Sequence, residues 1–162
     1  MDTINIIAFI LAIRQAEGGS FKWNERGEFG PAQIVVDVAK DYTYAVTSNR
    51  ACDITAKVTL QHNYCEVEWW NAVRCITAGH LSHKGDSMQA LRHAILAWRK
   101  GKAYAKAVDN PTPDVSDYID RVVNLYWIVP IGVTVDDIPR CDPSAVDAPT
   151  RADLKVDGDD RE

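Results

Sequence analysis

The chain lacks several features that mark large classes of proteins. Its apolar N-terminal run, residues 4–13, is too short to cross a bilayer, so we expect no stable membrane insertion. Segments that alternate apolar and polar residues are scarce, which disfavours a β-rich fold. None of the four cysteines forms a CxxC pair, so we expect no metal site, and no motif indicates a cofactor. These absences favour a mainly helical, cofactor-free protein.

A basic excess is also missing from the main part of the chain. Residues 130–162 contain nine acids and four bases, whereas residues 1–129 contain fourteen of each and are neutral. Nucleic-acid-binding domains usually carry a basic patch, so nucleic acid is not an expected partner. The composition predicts one folded domain, residues 1–129, and an acidic Pro/Asp-rich tail, residues 130–162, that is partly disordered.

The N-terminal run is a poor signal peptide. It has no basic segment before it and no small-residue cleavage site after it. We therefore expect the protein to be made in the cytoplasm without a recognisable signal peptide. Either it acts there, or something other than its own N-terminus carries it out.

The cysteines are Cys52, Cys65, Cys75 and Cys141. If Cys65 and Cys75 share one helix, they lie roughly 15 Å apart, too far for a disulfide. We expect free and mostly buried thiols, with a Cys52–Cys65 disulfide as the alternative.

Helical periodicity dominates the sequence. Thr3 is the predicted N-cap of the first helix, Pro31 the first residue of the second, and Ser87 and Ser116 cap two later ones. Two short segments, 21–29 and 42–46, are predicted to pair as a small hairpin. The predicted helices cover residues 3–17, 31–42, 50–62, 66–82, 87–100 and 117–128.

Glu17 is the first candidate functional residue. It ends a helix whose residues 4–13 are apolar at nine of ten positions, and Gly18-Gly19 follow it. A carboxyl group at the edge of a core is in the position of a general acid, because burial in general favours the protonated form. The alternative interpretation is a solvated last-turn residue before a glycine C-cap.

Four segments together point to a family. Residues 17–19 resemble Glu-Ser-Gly-Gly without the serine, and residues 27–34, Gly-Glu-Phe-Gly-Pro-Ala-Gln-Ile, resemble Gly-Ala-x-Gly-Leu-Met-Gln-Ile. Residues 94–101, Ala-Ile-Leu-Ala-Trp-Arg-Lys-Gly, resemble Ala-Leu-Ala-Ala-Tyr-Asn-Ala-Gly, and residues 118–122 resemble Tyr-Val-x-x-Val. In this order the segments resemble the lysozyme-like superfamily of soluble lytic transglycosylases and goose-type lysozymes.

The resemblance implies a fold, a reaction and partners. The fold would be a mainly α, lysozyme-like domain whose small hairpin or loop lobe lines a glycan cleft. The reaction would be cleavage of the β-1,4 bond between N-acetylmuramic acid and N-acetylglucosamine in peptidoglycan, by a lytic transglycosylase or a muramidase. Most glycosidases use two carboxylates, but this family is commonly described as using one. The expected partners are peptidoglycan glycan strands and a holin, virion or secretion machine that delivers the enzyme to the cell wall.

The resemblance also assigns roles to individual residues. Glu17 would be the general acid and base, and Tyr118 would orient it. The expected glycan contacts are Gln33, Gly30, Phe29, Trp98 and Arg99. Purely structural roles remain open: Gln33 as a first-turn polar residue, Gly30 as a turn glycine, and the aromatic residues as core.

The sequence departs from the family in three places. Arg99 replaces an asparagine, Pro31-Ala32 replaces Leu-Met, and Glu28 adds an acid to the glycine loop. Glu28 is either a second carboxylate that positions water, which favours hydrolysis, or a solvated loop acid, the interpretation that we favour. These departures leave an alternative function: a catalytically silent lysozyme-like module that binds cell-wall glycan or serves a structural role.

Overall fold

The computed structural model describes residues 3–48 and 53–138. This part of the chain is mainly helical, as the sequence predicted, and it contains one small antiparallel hairpin. The tail is described only as far as residue 138, so the prediction of a partly disordered tail lies largely outside these residues. The elements are α1 Ile6–Glu17, β1 Glu28–Phe29, β2 Ile34–Val35, α2 Val36–Thr47, α3 Asp53–His62, α4 Tyr64–Ser82, α5 Ser87–Lys100, α6 Lys102–Ala107, α7 Pro113–Ile128 and the short 3-10 helix Val135–Asp137.

The described residues divide into two compact units. The first contains residues 3–18 and 69–138, and the second contains residues 19–48 and 53–68. In the first unit α1 packs on α7, and α5 packs on α6 and α7. In the second unit α2 packs on α3 and against β2.

Helix α1 is the core helix of the first unit. From residue 6 to residue 14 none of its side chains is exposed, and Phe9 and Ile13 are fully buried. Its N-cap is Asn5 rather than the predicted Thr3, because the Asn5 side-chain oxygen accepts hydrogen bonds from the backbone N–H groups of Ile7 (3.0 Å) and Ala8 (3.1 Å). The helix ends at Gly18, which has a left-handed φ of +63° and whose N–H donates to the Arg14 carbonyl (2.9 Å).

The hairpin of the second unit differs from the predicted one. Glu28 lies opposite Val35, and Phe29 lies opposite Ile34. Gly30 (φ +85°) and Gln33 (φ +54°) both have left-handed backbones in the connection, so a helix cannot begin at Pro31. The prediction of a helix over 31–42 was therefore wrong at its start, and the helix begins at Val36.

Residues 42–46 are helical, so their predicted strand was wrong. The Thr43 and Thr47 hydroxyls donate to the carbonyls of Ala39 (2.8 Å) and Thr43 (2.7 Å), four residues earlier in α2. Packing of α2 on α3 stabilises the helix, although aromatic and β-branched residues favour strands in isolation.

The later helices agree with the predictions more closely. α3 agrees with the predicted helix 50–62 over the described residues, and residues 50–52 lie outside them; α4 begins two residues before the predicted start. α5 is capped by Asp86 rather than by Ser87, because the Asp86 carboxylate accepts a hydrogen bond from the Gln89 N–H (3.1 Å). α7 begins at Pro113 after the N-cap Thr112, four residues earlier than predicted, because proline suits the first turn of a helix. The short helix α6 was not predicted.

The cysteine prediction was partly wrong. Cys75 is a free, buried thiol as expected, and burial raises its pKa to about 12. Cys65 is disulfide-bonded rather than free. Cys52 and Cys141 lie outside the described residues.

Two features are absent from the described residues. None of the helices in residues 3–48 and 53–138 combines the length and the apolar composition needed to cross a bilayer. Over the same ranges, His, Cys, Asp and Glu side chains nowhere gather in a group of three or more that could hold a metal ion.

His93 on α5 is a buried titratable group of the first unit. It is 8% exposed, its Nδ1 has no hydrogen-bond partner among the described residues, and its ring lies 3.8 Å from that of His83, centroid to centroid. Burial, followed by the charge of His83, holds the pKa of His93 below its usual value, although a hydrogen bond to the Ala105 backbone opposes this shift.

We therefore expect acid to destabilise the protein through His93. Because the imidazole binds its proton less readily in the folded than in the unfolded chain, stability is full above the unfolded pKa of about 6.5 and falls as the pH drops below it. The slope from one such group is at most about 1.4 kcal/mol per pH unit. Urea unfolding as a function of pH measures this slope; it should be reduced in His93→Gln and retained in His62→Gln, which changes an exposed histidine. An unreduced slope in His93→Gln would contradict the assignment.

Candidate active site

Glu17 and Tyr118 meet in the first unit, although they lie 101 positions apart in the chain. Glu17 is the last residue of α1, Tyr118 lies in the second turn of α7, and these two helices pack together. The Tyr118 hydroxyl donates a 2.6 Å hydrogen bond to Oε1 of Glu17. The Glu17 side chain is only 12% exposed, so the bond is largely shielded from water.

The environment of Tyr118 keeps its hydroxyl protonated. Burial raises the pKa of Tyr118 well above its usual value, and the negative charge of Glu17 raises it further. Tyr118 is therefore a permanent hydrogen-bond donor to the carboxylate, which fixes the orientation of the Glu17 side chain.

Arg99 is the third member of this group. It lies near the end of α5, and its Nη1 atom is 3.8 Å from the same Oε1 atom of Glu17. Its guanidinium also lies 5.0 Å from the centroid of the Tyr118 ring, within cation–π range. Oε2 of Glu17 makes no hydrogen bond with any residue of the described ranges and is the oxygen left for a ligand.

A cleft of about 410 Å³ adjoins this group within the first unit. Arg99 and Tyr118 contribute to its wall, so a ligand in the cleft would lie beside the two side chains that contact Glu17. We call it the arginine cleft; it is lined by Arg99, Lys100, Asp114, Val115, Asp117, Tyr118 and Arg121.

Trp98 has a packing role in the first unit. Its ring meets that of Phe9 edge to face, with centroids 5.8 Å apart, and its side chain is partly buried. This contact agrees with the core interpretation of Trp98, and stacking on a sugar stays a prediction.

The glycine loop of the second unit is organised by Asn24. Its side-chain amide donates to Glu28 Oε2 (2.7 Å) and to Gln33 Oε1 (2.5 Å), and its oxygen accepts from the backbone N–H groups of Arg26 and Glu28. The Gln33 amide nitrogen in turn donates to the Gly30 carbonyl (2.7 Å). Both ends of the Gln33 amide therefore bind within the loop.

Glu28 is partly buried and is bonded within the loop. Its side chain is 18% exposed, accepts the bond from Asn24 and lies 3.4 Å from the Arg26 guanidinium. The favoured interpretation of a solvated loop acid underestimated these contacts, which give Glu28 a structural role in holding the loop.

Gly30 and Phe29 both belong to the packing around Tyr64. A Cβ atom at Gly30 would overlap the Tyr64 ring, so glycine is required there by packing as well as by its positive φ. Phe29 is 1% exposed, and its ring contacts those of Trp23 and Tyr64 at centroid distances of 5.0 and 5.8 Å. A direct glycan contact for either residue stays a prediction.

Sequence reasoning missed two residues. Asn24 is the centre of the loop network, and an asparagine within a glycine-containing loop is a signal for such side-chain-to-backbone bonding. Arg121 lines the arginine cleft, and its guanidinium lies 5.6 Å from the Tyr118 ring centroid. Its position three residues after Tyr118, on the same helical face, was the available signal.

Comparison with protein-family models, with curated proteins and with solved structures finds no match to this chain.

Proposed function

We propose that the protein is a peptidoglycan-cleaving enzyme of the lysozyme-like superfamily, with Glu17 as its general acid and base. It would cut the β-1,4 bond between N-acetylmuramic acid and N-acetylglucosamine as a lytic transglycosylase or a muramidase. Its partners would be glycan strands of the cell wall and a holin, virion or secretion machine that delivers it there.

The observation that carries the proposal is the hydrogen bond from Tyr118 to Glu17. The resemblance, which rests on sequence motifs alone, implies that these two residues act together. Supporting observations are the shielded position of Glu17 at the end of a buried helix and the adjoining arginine cleft.

In the proposed reaction the two oxygens of Glu17 have different tasks. Tyr118 and Arg99 hold Oε1, so the carboxyl group cannot rotate freely. Oε2 would carry the proton to the glycosidic oxygen as the bond to the leaving sugar breaks. The resulting carboxylate would then take a proton from the C6 hydroxyl of muramic acid, giving a 1,6-anhydro product, or from an attacking water molecule, giving a reducing end.

Removing the Tyr118 hydroxyl tests the proposal. Tyr118→Phe keeps the ring in the core but deletes a hydrogen bond to a charged group, so we expect cleavage of purified sacculi to slow by about tenfold or more. The pH profile of cleavage should also change, which a packing role alone would not produce. Tyr44→Phe, which alters a tyrosine 54% exposed on α2, is the matched control. Unchanged rates and pH profile in Tyr118→Phe would remove the main support for the proposal.

Glu28→Gln separates the one-carboxylate mechanism from a two-carboxylate mechanism. Glutamine retains an oxygen that can accept the bond from Asn24, so we expect a loss of cleavage well below tenfold and the same products. A single positioned acid–base group typically contributes at least about a hundredfold. A loss of that size with the fold intact would therefore show that Glu28 acts as a second carboxylate.

A catalytically silent module is the second candidate, and the ion pair between Arg99 and Glu17 favours it. The family has an asparagine at this position, and a carboxylate paired with arginine can be purely structural. This candidate predicts a folded protein that leaves sacculi intact.

A further inference from the structure

The arginine cleft places two guanidinium groups beside the Tyr118 ring. Three cations line it, Arg99, Lys100 and Arg121, against two carboxylates, Asp114 and Asp117. Asp114 is already bonded to the Thr112 hydroxyl, which donates to it at 2.7 Å. With Arg99 paired to Glu17, the charges around the cleft nearly balance, and what distinguishes the cleft is that the guanidinium groups of Arg99 and Arg121 both lie against the Tyr118 ring.

Arg121 is the less compensated of the two guanidinium groups in the cleft. Arg99 faces Glu17 at 3.8 Å, whereas Arg121 forms no ion pair within the part of the chain that the structure describes. Its guanidinium lies against the Tyr118 ring, 5.6 Å from the ring centroid. Its guanidinium keeps its hydrogen-bond donors available on an exposed helix face, and guanidinium groups bind carboxylates through two parallel hydrogen bonds.

We propose that the arginine cleft binds a carboxylate group of the substrate, with Arg121 as the main anchor and Arg99 beside it. This inference rests on the proposed function, which supplies the class of ligand. In peptidoglycan the carboxylate is either the free lactyl group of N-acetylmuramic acid or an acidic group of the stem peptide attached there. The cleft volume of about 410 Å³ lies in the range of small-molecule sites.

The position of the cleft gives this contact a consequence for the reaction. Tyr118 lines the cleft and also holds Glu17, so a carboxylate bound at Arg121 would place the muramic acid ring next to the acid. Neutral chitin-like strands have no carboxylate to offer. The cleft would therefore select muramic acid from otherwise similar sugars.

Three forms of one disaccharide test the inference on the full chain. The disaccharide is N-acetylglucosaminyl-N-acetylmuramic acid, which lacks the bond to be cut. The first form has the free lactyl carboxylate, the second is its methyl ester, and the third carries L-alanyl-D-isoglutamine, with a carboxylate on the peptide. Calorimetric titration should show the free acid or the dipeptide form, or both, binding about tenfold tighter than the ester. A preference for the first or the third form identifies the lactyl group or the stem peptide as the source.

Two charge-removing variants complete the test. Arg121→Gln should bring the ratio of the affinities for the carboxylate-bearing forms and the ester close to one. Lys106→Gln removes an exposed cation outside the cleft and should retain the wild-type ratio. The inference would be overturned if the wild-type protein bound the carboxylate-bearing forms and the ester equally, or bound none of the three forms. It would also be overturned if folded Arg121→Gln retained the wild-type ratio of affinities. Cleavage of sacculi by the same preparation reports separately on the proposed function. Cleavage without a carboxylate preference overturns the inference alone, and a preference without cleavage overturns the proposed function alone.

Discussion

Replacing Glu17 by glutamine is expected to abolish cleavage of peptidoglycan while the fold survives. The change is nearly isosteric and retains an oxygen that can accept the bond from Tyr118, so α1 and α7 should still pack together. What disappears is the titrating proton. For a general acid its loss slows the reaction by about a hundredfold or more.

Turbidity loss of purified sacculi and thermal unfolding measure the two halves of this prediction. Glu25→Gln is the matched control, because Glu25 is an exposed loop acid and the change removes the same charge. We expect Glu25→Gln to keep wild-type activity and both variants to melt near the wild-type temperature. Wild-type activity in Glu17→Gln would show that Glu17 is not the acid, and the resemblance would then lose its functional content.

The second large effect is expected at Gly30. Alanine there would have to adopt a φ of +85°, and its Cβ atom would overlap the ring of Tyr64. Tyr64 is fully buried, and its hydroxyl accepts a 2.6 Å hydrogen bond from the Ala32 N–H, so the ring cannot move without losing that bond. Backbone strain and overpacking should together destabilise the protein by about 3 kcal/mol.

Gly18→Ala is the control for the backbone part of this effect. Gly18 also has a positive φ, +63°, but its Cβ would meet no atom within 4 Å. We expect Gly18→Ala to lower the free energy of unfolding by only about 1–2 kcal/mol, the cost of the left-handed backbone. Urea unfolding of both variants measures the difference. Equal losses would mean that Tyr64 does not constrain the loop.

The periodic part of the fold could be predicted from the sequence. Helices α3, α4 and α5 lie where apolar spacing placed them, because their packing faces repeat at the helical period. Residues 42–46 could not be assigned locally, since Tyr44 and Val46 favour strands and only the packing of α2 on α3 overrides that preference.

The glycine loop shows a different limit of sequence reasoning. A helix start at Pro31 agreed with every local rule, yet the positive φ of Gln33 forbids it. That backbone is accompanied by bonds from Asn24 to the Gln33 side chain and from Gln33 to Gly30, contacts that reach across nine and three residues. Local propensity does not encode such a network.

For the candidate site, the resemblance supplied what spacing alone could not. Nothing in the composition places Tyr118 beside Glu17, and the family motifs named both residues for one task. The same motifs did not predict the contact of Arg99 with Glu17, because they have an asparagine where this chain has Arg99. They did not predict a role for Arg121 in the arginine cleft either, because the Tyr-Val-x-x-Val motif leaves its position unspecified.

Mass spectrometry of purified peptidoglycan after incubation with the wild-type chain tests the central claim most directly. We expect soluble fragments cut between N-acetylmuramic acid and N-acetylglucosamine, and no such fragments when Glu17→Gln replaces the wild type. Anhydro ends would assign the enzyme to the transglycosylases, and reducing muramic ends would assign it to the muramidases. Intact sacculi after incubation with folded wild-type protein would contradict the account and leave the silent module in its place.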